Sequence, residues 1–252
     1  MPENDMRRIQ PADITEALGL LTRLSVRSRG ARGVNAGWAW PLAGALVALI
    51  AGIAGWSLAR IGLPVNLTAA LIVAAMVVLT GAMHEDGLAD CADGFWGGWT
   101  PERRLDIMKD SRIGTYGVVA LVLALLARWS AIVGLIGAGA PLGPLVAAAA
   151  LSRVPMLALM WSLPNARAGG LSDQTGKPDR DTVLLAGAVG LLIALIFAGF
   201  AAIPAAVAVA AVAWGATRLA QERIGGQTGD VLGATQQLGE IAGLAVFVTI
   251  LG

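Results

Sequence analysis

Residues 65–94 read VNLTAALIVAAMVVLTGAMHEDGLADCADG. An apolar run, Val65 to Met83, passes without a linker into an acidic one. The first part is close to the ~20 apolar residues that cross the hydrocarbon of a bilayer. In the second part, Asp86, Asp90 and Asp93 stand at i, i+4 and i+7. If the helix continues for two or three turns, the three carboxylates share one stripe. Like charges so close repel unless a cation lies between them. Carboxylate oxygens suit a hard divalent ion, and Mg²⁺ usually takes a few of them together with substrate phosphate oxygens. The competing reading is a solvated acidic helix end, and Gly87 and Gly94 weaken the helix itself. A membrane span that opens onto crowded carboxylates is the pattern from which the rest is read.

The composition agrees with a membrane protein. Of 252 residues, 56% are hydrophobic and 14% charged, against about a quarter charged in a soluble domain. Disordered, collagen-like and secreted disulfide-rich classes are excluded. The single Cys91 allows no intrachain disulfide and no thiolate zinc site, and reads as a small packing residue. With 18 Lys+Arg against 17 Asp+Glu the net charge is +1, which gives no electrostatic case for nucleic acid. The first 36 residues are mixed in charge and lack a long apolar core, so no cleavable signal peptide is expected.

Seven hydrophobic segments are expected to be helical: Trp38 to Leu58, Val65 to Met83, Ile113 to Gly137, Gly143 to Leu163, Thr182 to Gly199, Ile203 to Thr217 and Leu238 to Leu251. The first four are long enough to span; the sixth and seventh are short, and either tilted, interfacial or partly re-entrant. Continuous Ala- and Leu-rich runs favour helices over a β-barrel. The fold expected is therefore all-α: a polytopic membrane helix bundle of about seven transmembrane segments, one integral membrane catalytic domain over 1–252. Residues 1–36 form a cytoplasmic or interfacial arm, and the stretch from Ile14 to Val26 reads as an amphipathic helix on the membrane surface. Threaded as a zigzag, the chain puts every Lys and Arg except Arg60, Arg128 and Arg153 on one side, Arg7, Arg8 and Arg29 of the arm included. The positive-inside rule makes that side cytoplasmic. The acidic residues fall on it too, with Glu240 at its margin. Small-residue helix faces also permit a homo-oligomer.

Three further features border the acidic stripe. In ERRLDIMKDSRIGTYG (102–117), Asp110 or Ser111 is placed to cap the next helix, whose N-terminus attracts phosphate. Lys109 and Arg112 are candidate phosphate contacts, while Arg103 and Arg104 read as positive-inside anchors. In GGQTGDVLGATQQLGE (225–240), glycines and threonines surround Asp230. Such backbone approaches a ligand closely, yet the Gly-Lys-Ser/Thr of a Walker A loop is absent. Arg153 and Arg128 lie inside apolar runs, so each is expected to face the bundle interior or a polar cavity; Arg153 is placed to reach a phosphate or pair with an aspartate, and for Arg128, nearer the far interface, snorkelling is a sufficient explanation. His84 is either a general base or metal ligand, or a polar residue at a membrane boundary. Residues 164–181 read as a mobile connector or a loop that closes over substrate.

The strings HEDGLADCADG, MKDSRIGTYG and GGQTGDVLGA, in this order, strongly resemble the adenosylcobinamide-GDP ribazoletransferase, or cobalamin synthase, family. With the N-terminal ALGLLTRL, the resemblance covers most of the chain. It implies an integral membrane enzyme of the bacterial inner membrane with its active site facing the cytoplasm. Such an enzyme joins adenosylcobinamide-GDP to α-ribazole, or to α-ribazole 5′-phosphate, and releases GMP with Mg²⁺. The motifs fall on Asp86, Asp90 and Asp93, on Asp110 to Gly114, and on Thr228 to Ala234. The expected metal ligands are Asp86, Asp90, Asp93, Asp110 and Asp230. The expected substrate and phosphate contacts are Lys109, Ser111, Arg112, Arg153, Thr228 and Gly229. Asp93 is the expected proton acceptor, with His84 its rival. CDP-alcohol phosphotransferases are the runner-up, but their signature needs Arg where Asp90 stands and a second half that is missing. A less favoured alternative is an ion or solute transporter.

Overall fold

The computed structural model describes residues 9–27 and 32–251, and among them every regular element is helical. Besides two 3₁₀ helices, Gly33–Ala39 and Gly199–Ala201, these are in chain order α1 (Ala12–Leu21), α2 (Trp40–Arg60), α3 (Val65–Thr80), α4 (Met83–Gly97), α5 (Pro101–Lys109), α6 (Thr115–Gly137), α7 (Leu142–Leu151), α8 (Val154–Ser162), α9 (Leu171–Thr175), α10 (Arg180–Ala198), α11 (Ala202–Ile224) and α12 (Gly229–Leu251). Five stretches are long and apolar enough to cross a membrane: Gly33–Arg60, Thr115–Gly137, Leu142–Ser162, Arg180–Ile224 and Gly229–Leu251. A sixth, α3 with α4, passes only as a pair bent by 89°. The 45 residues of Arg180–Ile224 would measure about 67 Å as one helix, twice the hydrocarbon thickness. The chain breaks there at Gly199 (φ 58°, ψ −146°), separating α10 from α11 and supplying a seventh segment.

Glycine approaches give the directions. Gly44 of α2 lies against Ala149 and Arg153, and Gly52 against Leu142 and Leu145, so α2 and α7 are antiparallel. Gly143 faces Phe197 and Gly190 faces Val154, so α10 is antiparallel to α7. Gly239 meets Ser152 and Gly243 meets Ala148, so α12 is antiparallel to α7 as well. These small residues let backbones pack where no water-driven force is available.

Four expectations need correction. The second segment does not run on into the acidic stretch: α3 stops at Thr80, and the chain turns through Gly81 (φ 68°) and Ala82 (φ 58°). The acidic stretch is a separate helix, bent by 89° from α3 and packed on α12, α6 and α5. The fourth segment is two helices broken at Ser152 and Arg153, where Pro155 removes a backbone donor. The sixth and seventh are not short: α11 and α12 have 23 residues each, because their polar ends stay helical against α4 and α5 instead of fraying into a loop. Finally, the first helix is shifted from the expected Ile14 to Val26: α1 runs Ala12–Leu21. Asp13, fully buried, accepts bonds from Arg32 (2.6 Å) and the Trp38 indole (2.7 Å) and fixes α1 to the start of α2. Arg32 is thus a structural partner; Arg7, Arg8 and Arg29 lie outside the described residues.

Two arginines and two glutamates form a buried lattice beneath α4. Glu240 of α12 meets Arg153 (2.6 Å) through one oxygen and Arg128 (3.0 Å) through the other. Arg128 also donates to Glu85 (2.8 Å) and to Gln237 (3.2 Å). The Gln236 amide donates to Glu240 (2.8 Å) and to the Ser152 hydroxyl (3.1 Å). Arg128, 2% exposed, therefore does not snorkel; it is an internal charge with two acidic partners. Arg153 is committed to Glu240, Ser152 and the Ala149 carbonyl rather than to a phosphate. Glu240 lies inside the bundle, not on its polar face.

Replacing Arg128 by Met strands Glu85 and leaves Glu240 to Arg153 alone, and a broken buried pair costs ~3–5 kcal/mol. The expected result is a lower unfolding midpoint in detergent, partly recovered by adding Glu85→Gln. An unchanged midpoint refutes a structural role for the lattice.

Candidate active site

Helix α4 can lie on α12 because glycines let it. A Cβ at Gly87 would fall 2.7 Å from the Asp230 carbonyl oxygen, and one at Gly233 would fall 3.2 Å from His84 Cα. The contact brings the Asp-rich motif to the first turn of α12. Gly94 presses in the same way on Met108 of α5, which folds the 110–114 loop back beside α4.

The expected aspartates then divide into two kinds. Asp86 is exposed and Asp90 half-buried, and no hydrogen bond reaches either carboxyl among the described residues. Asp90 stands close enough to Asp86, Asp230 and Asp93 to feel their charges. Asp230 accepts from the Thr228 hydroxyl (3.2 Å) and faces Arg167 at 3.6 Å. Asp86, Asp90 and Asp230 are thus mutually crowded, with one partial counter-charge.

Asp93 and Asp110 are engaged. The Asp93 oxygens accept the backbone N–H groups of Gly114 (2.6 Å) and Gly117 (2.9 Å), which caps the N-terminus of α6. Nothing in the sequence between the two segments announces this contact. Asp93 therefore has an anchoring duty, with each of its oxygens already accepting one backbone bond. Asp110 is gripped by the Arg112 guanidinium (2.6 Å) and main-chain N–H (3.1 Å). The expected five ligands do not converge: among the described residues, no three His, Cys, Asp or Glu side chains form a metal cage. The donor chemistry still fits Mg²⁺, which is commonly held by one or two carboxylates plus substrate phosphate oxygens.

Asp86 lies between two hollows. On one side is an open cleft of about 430 Å³ that it shares with Asp90, Lys109, Asp110, Ser111 and Arg112. On the other is a cavity of about 150 Å³ that it shares with His84, Gly229, Asp230 and Arg167. Lys109, Ser111 and Arg112 are exposed at the cleft, while Thr228 is buried and orients Asp230. His84 is buried beside the cavity and takes no part in the cleft. Arg153 lines neither hollow.

Arg167 was not among the expected site residues. Its segment is stitched to the 225–228 turn: the Ala166 N–H donates to the Gln227 carbonyl, and the Gln227 N–H donates to the Pro164 carbonyl, both 2.9 Å. This pairing makes residues 164–167 a fixed wall rather than a mobile connector. Glu85 was also missed; it faces inward to Arg128 while its neighbour Asp86 faces out.

Replacing Asp93 by Ala removes the α6 cap and should destabilise the protein by ~0.5–2 kcal/mol, whereas Asn, which still accepts a bond, should lose less. Unfolding midpoints that rank the two the other way would contradict the capping role.

The family model described as Cobalamin-5-phosphate synthase matches residues 13–248. Three proteins named adenosylcobinamide-GDP ribazoletransferase, from Brucella ovis, Brucella canis and Brucella melitensis, are each 42% identical to this chain over 260 aligned positions. Each alignment covers 95% of this chain and 97% of the relative. No solved structure matches.

Proposed function

The chain belongs to the cobalamin-5-phosphate synthase family, and on that premise we propose an adenosylcobinamide-GDP ribazoletransferase whose reaction runs at the carboxylates of α4 and α12. It joins adenosylcobinamide-GDP to α-ribazole or α-ribazole 5′-phosphate and releases GMP. The placement of the site rests on one observation above all: Asp86 and Asp90 carry unpartnered carboxyls, crowded against Asp230, at the mouth of an apolar bundle.

A hydroxyl of the nucleoside attacks the phosphorus attached to cobinamide, the phosphoanhydride breaks, and GMP leaves. The barrier to such a transfer is chiefly electrostatic, since negative oxygens must approach in line. Mg²⁺ held by Asp86 and Asp230, with Asp90 beside them, would neutralise the diphosphate and the departing phosphate. Lys109 and Arg112 at the cleft add positive charge, and Ser111 and the Gly229 backbone contribute short polar contacts to phosphate oxygens. Arg167 restrains Asp230 from the opposite side. Asp90, unbonded in the cleft, takes the hydroxyl proton, while Asp93 holds the N-terminus of α6 through one backbone bond to each oxygen. The positive-inside distribution supports a cytoplasmic orientation of this face in the cell membrane.

Purified protein supplied with adenosylcobinamide-GDP, α-ribazole and Mg²⁺ should form GMP, and chelation should stop it. Asp86→Asn and Asp90→Asn should each lower the rate by about 10²-fold or more with an unchanged unfolding midpoint. Solute flux without GMP would reject the enzyme reading, and full activity in both variants would reject the site.

A further inference from the structure

The 150 Å³ cavity beside Asp86 has a composition that the phosphoryl chemistry does not require. Its walls include Leu21 of α1, Trp40 of α2, Met156 and Met160 of α8, and Leu232 of α12. Among these apolar groups stands His84, 1% exposed, and neither of its ring nitrogens has a hydrogen-bond partner among the described residues. Buried polar atoms are nearly always bonded, and the exceptions call for an explanation. The mouth of the same cavity is formed by Asp86, Asp230 and Arg167, the groups placed above at the reacting phosphate.

We propose that this cavity seats the planar aromatic base of the nucleoside acceptor, and that His84 reads the base through a hydrogen bond to its unsubstituted ring nitrogen. The inference rests on the transferase reading above. Size and polarity select the base over the other parts of the two substrates. A cavity of ~150 Å³ lined by apolar side chains is the size that admits a benzene ring, and a corrin ring is far larger. Guanine carries donors and acceptors around most of its edge; Ser172 and Thr175 also line the cavity, but those edge groups that face Leu21, Met156, Met160 and Leu232 would be buried unpaired, which is unfavourable. A benzimidazole-type base has two apolar faces for Trp40 and the methionines, and its one free nitrogen matches one imidazole N–H. With the base seated there, the ribose lies at the mouth, and its hydroxyl is delivered to Asp86 and its neighbours. His84 is in this view a specificity residue, which agrees with its absence from the cleft.

The test uses the purified full chain and two probes of one shape: benzimidazole, with a free ring nitrogen, and indole, which has carbon at that position. Binding is followed by isothermal titration calorimetry and needs no second substrate or metal. Benzimidazole should bind saturably and about tenfold more tightly than indole, the worth of one buried hydrogen bond. His84→Ala should erase that preference while leaving indole binding unchanged. In turnover, the same variant should raise KM for α-ribazole and leave KM for adenosylcobinamide-GDP as it was. Equal affinity of the unaltered protein for the two probes, or no saturable binding of either, overturns the proposal without reference to any variant. Benzimidazole selectivity without GMP formation would uphold the binding site and reject the transferase; GMP formation without selectivity would do the reverse.

Discussion

The two guanidinium groups and two carboxylates sealed beneath α4 are the constraint on which the rest of the molecule depends. Arg128 comes from α6, Arg153 from the α7–α8 break, Glu85 from α4 and Glu240 from α12. Any one of them alone in an apolar interior would carry a heavy desolvation cost. Together they are neutral, and their geometry is satisfied only when the four elements meet in one arrangement. That arrangement places the outward face of α4, with Asp86 and Asp90, against the first turn of α12. The buried charges set where the exposed ones stand.

The membrane spans and the aspartate spacing are legible in the sequence because each depends on a local period. Apolar runs of bilayer length and a three-to-four-residue recurrence need no knowledge of distant residues. The breaks were harder to see. Thr80 to Met83 looks like a continuation of α3, because Gly81 and Ala82 are small and unremarkable until their left-handed backbone turns the chain. Asp93 was visible as a member of the stripe, but its duty is fixed by α6, more than twenty residues later. Arg128 is legible in part: its position in a hydrophobic run points it to the interior or a polar cavity, and only the packing of α4 and α12 says with whom it pairs instead of snorkelling.

The wall at Arg167 shows a different limit. Residues 164–167 are polar and turn-rich, which is equally compatible with a floppy link and with a strapped one. Two reciprocal main-chain bonds to Gln227 decide the matter, and no side-chain pattern encodes them. Gly226 belongs to the same contact: a Cβ there would lie 2.3 Å from the Pro164 carbonyl oxygen. This glycine of the 225–240 motif is thus a point of closest approach between two segments of the chain itself.

The contrast between the buried pairs and the exposed Asp110–Arg112 pair has a consequence for how the molecule responds to ionic strength. Mobile ions screen charges they can surround, and they act weakly on those enclosed in protein. The Arg112 side chain is 87% exposed, that of Arg128 only 2%. Added electrolyte therefore loosens the loop at the cleft and leaves the frame beneath it intact, so the two layers of charge respond separately to the medium.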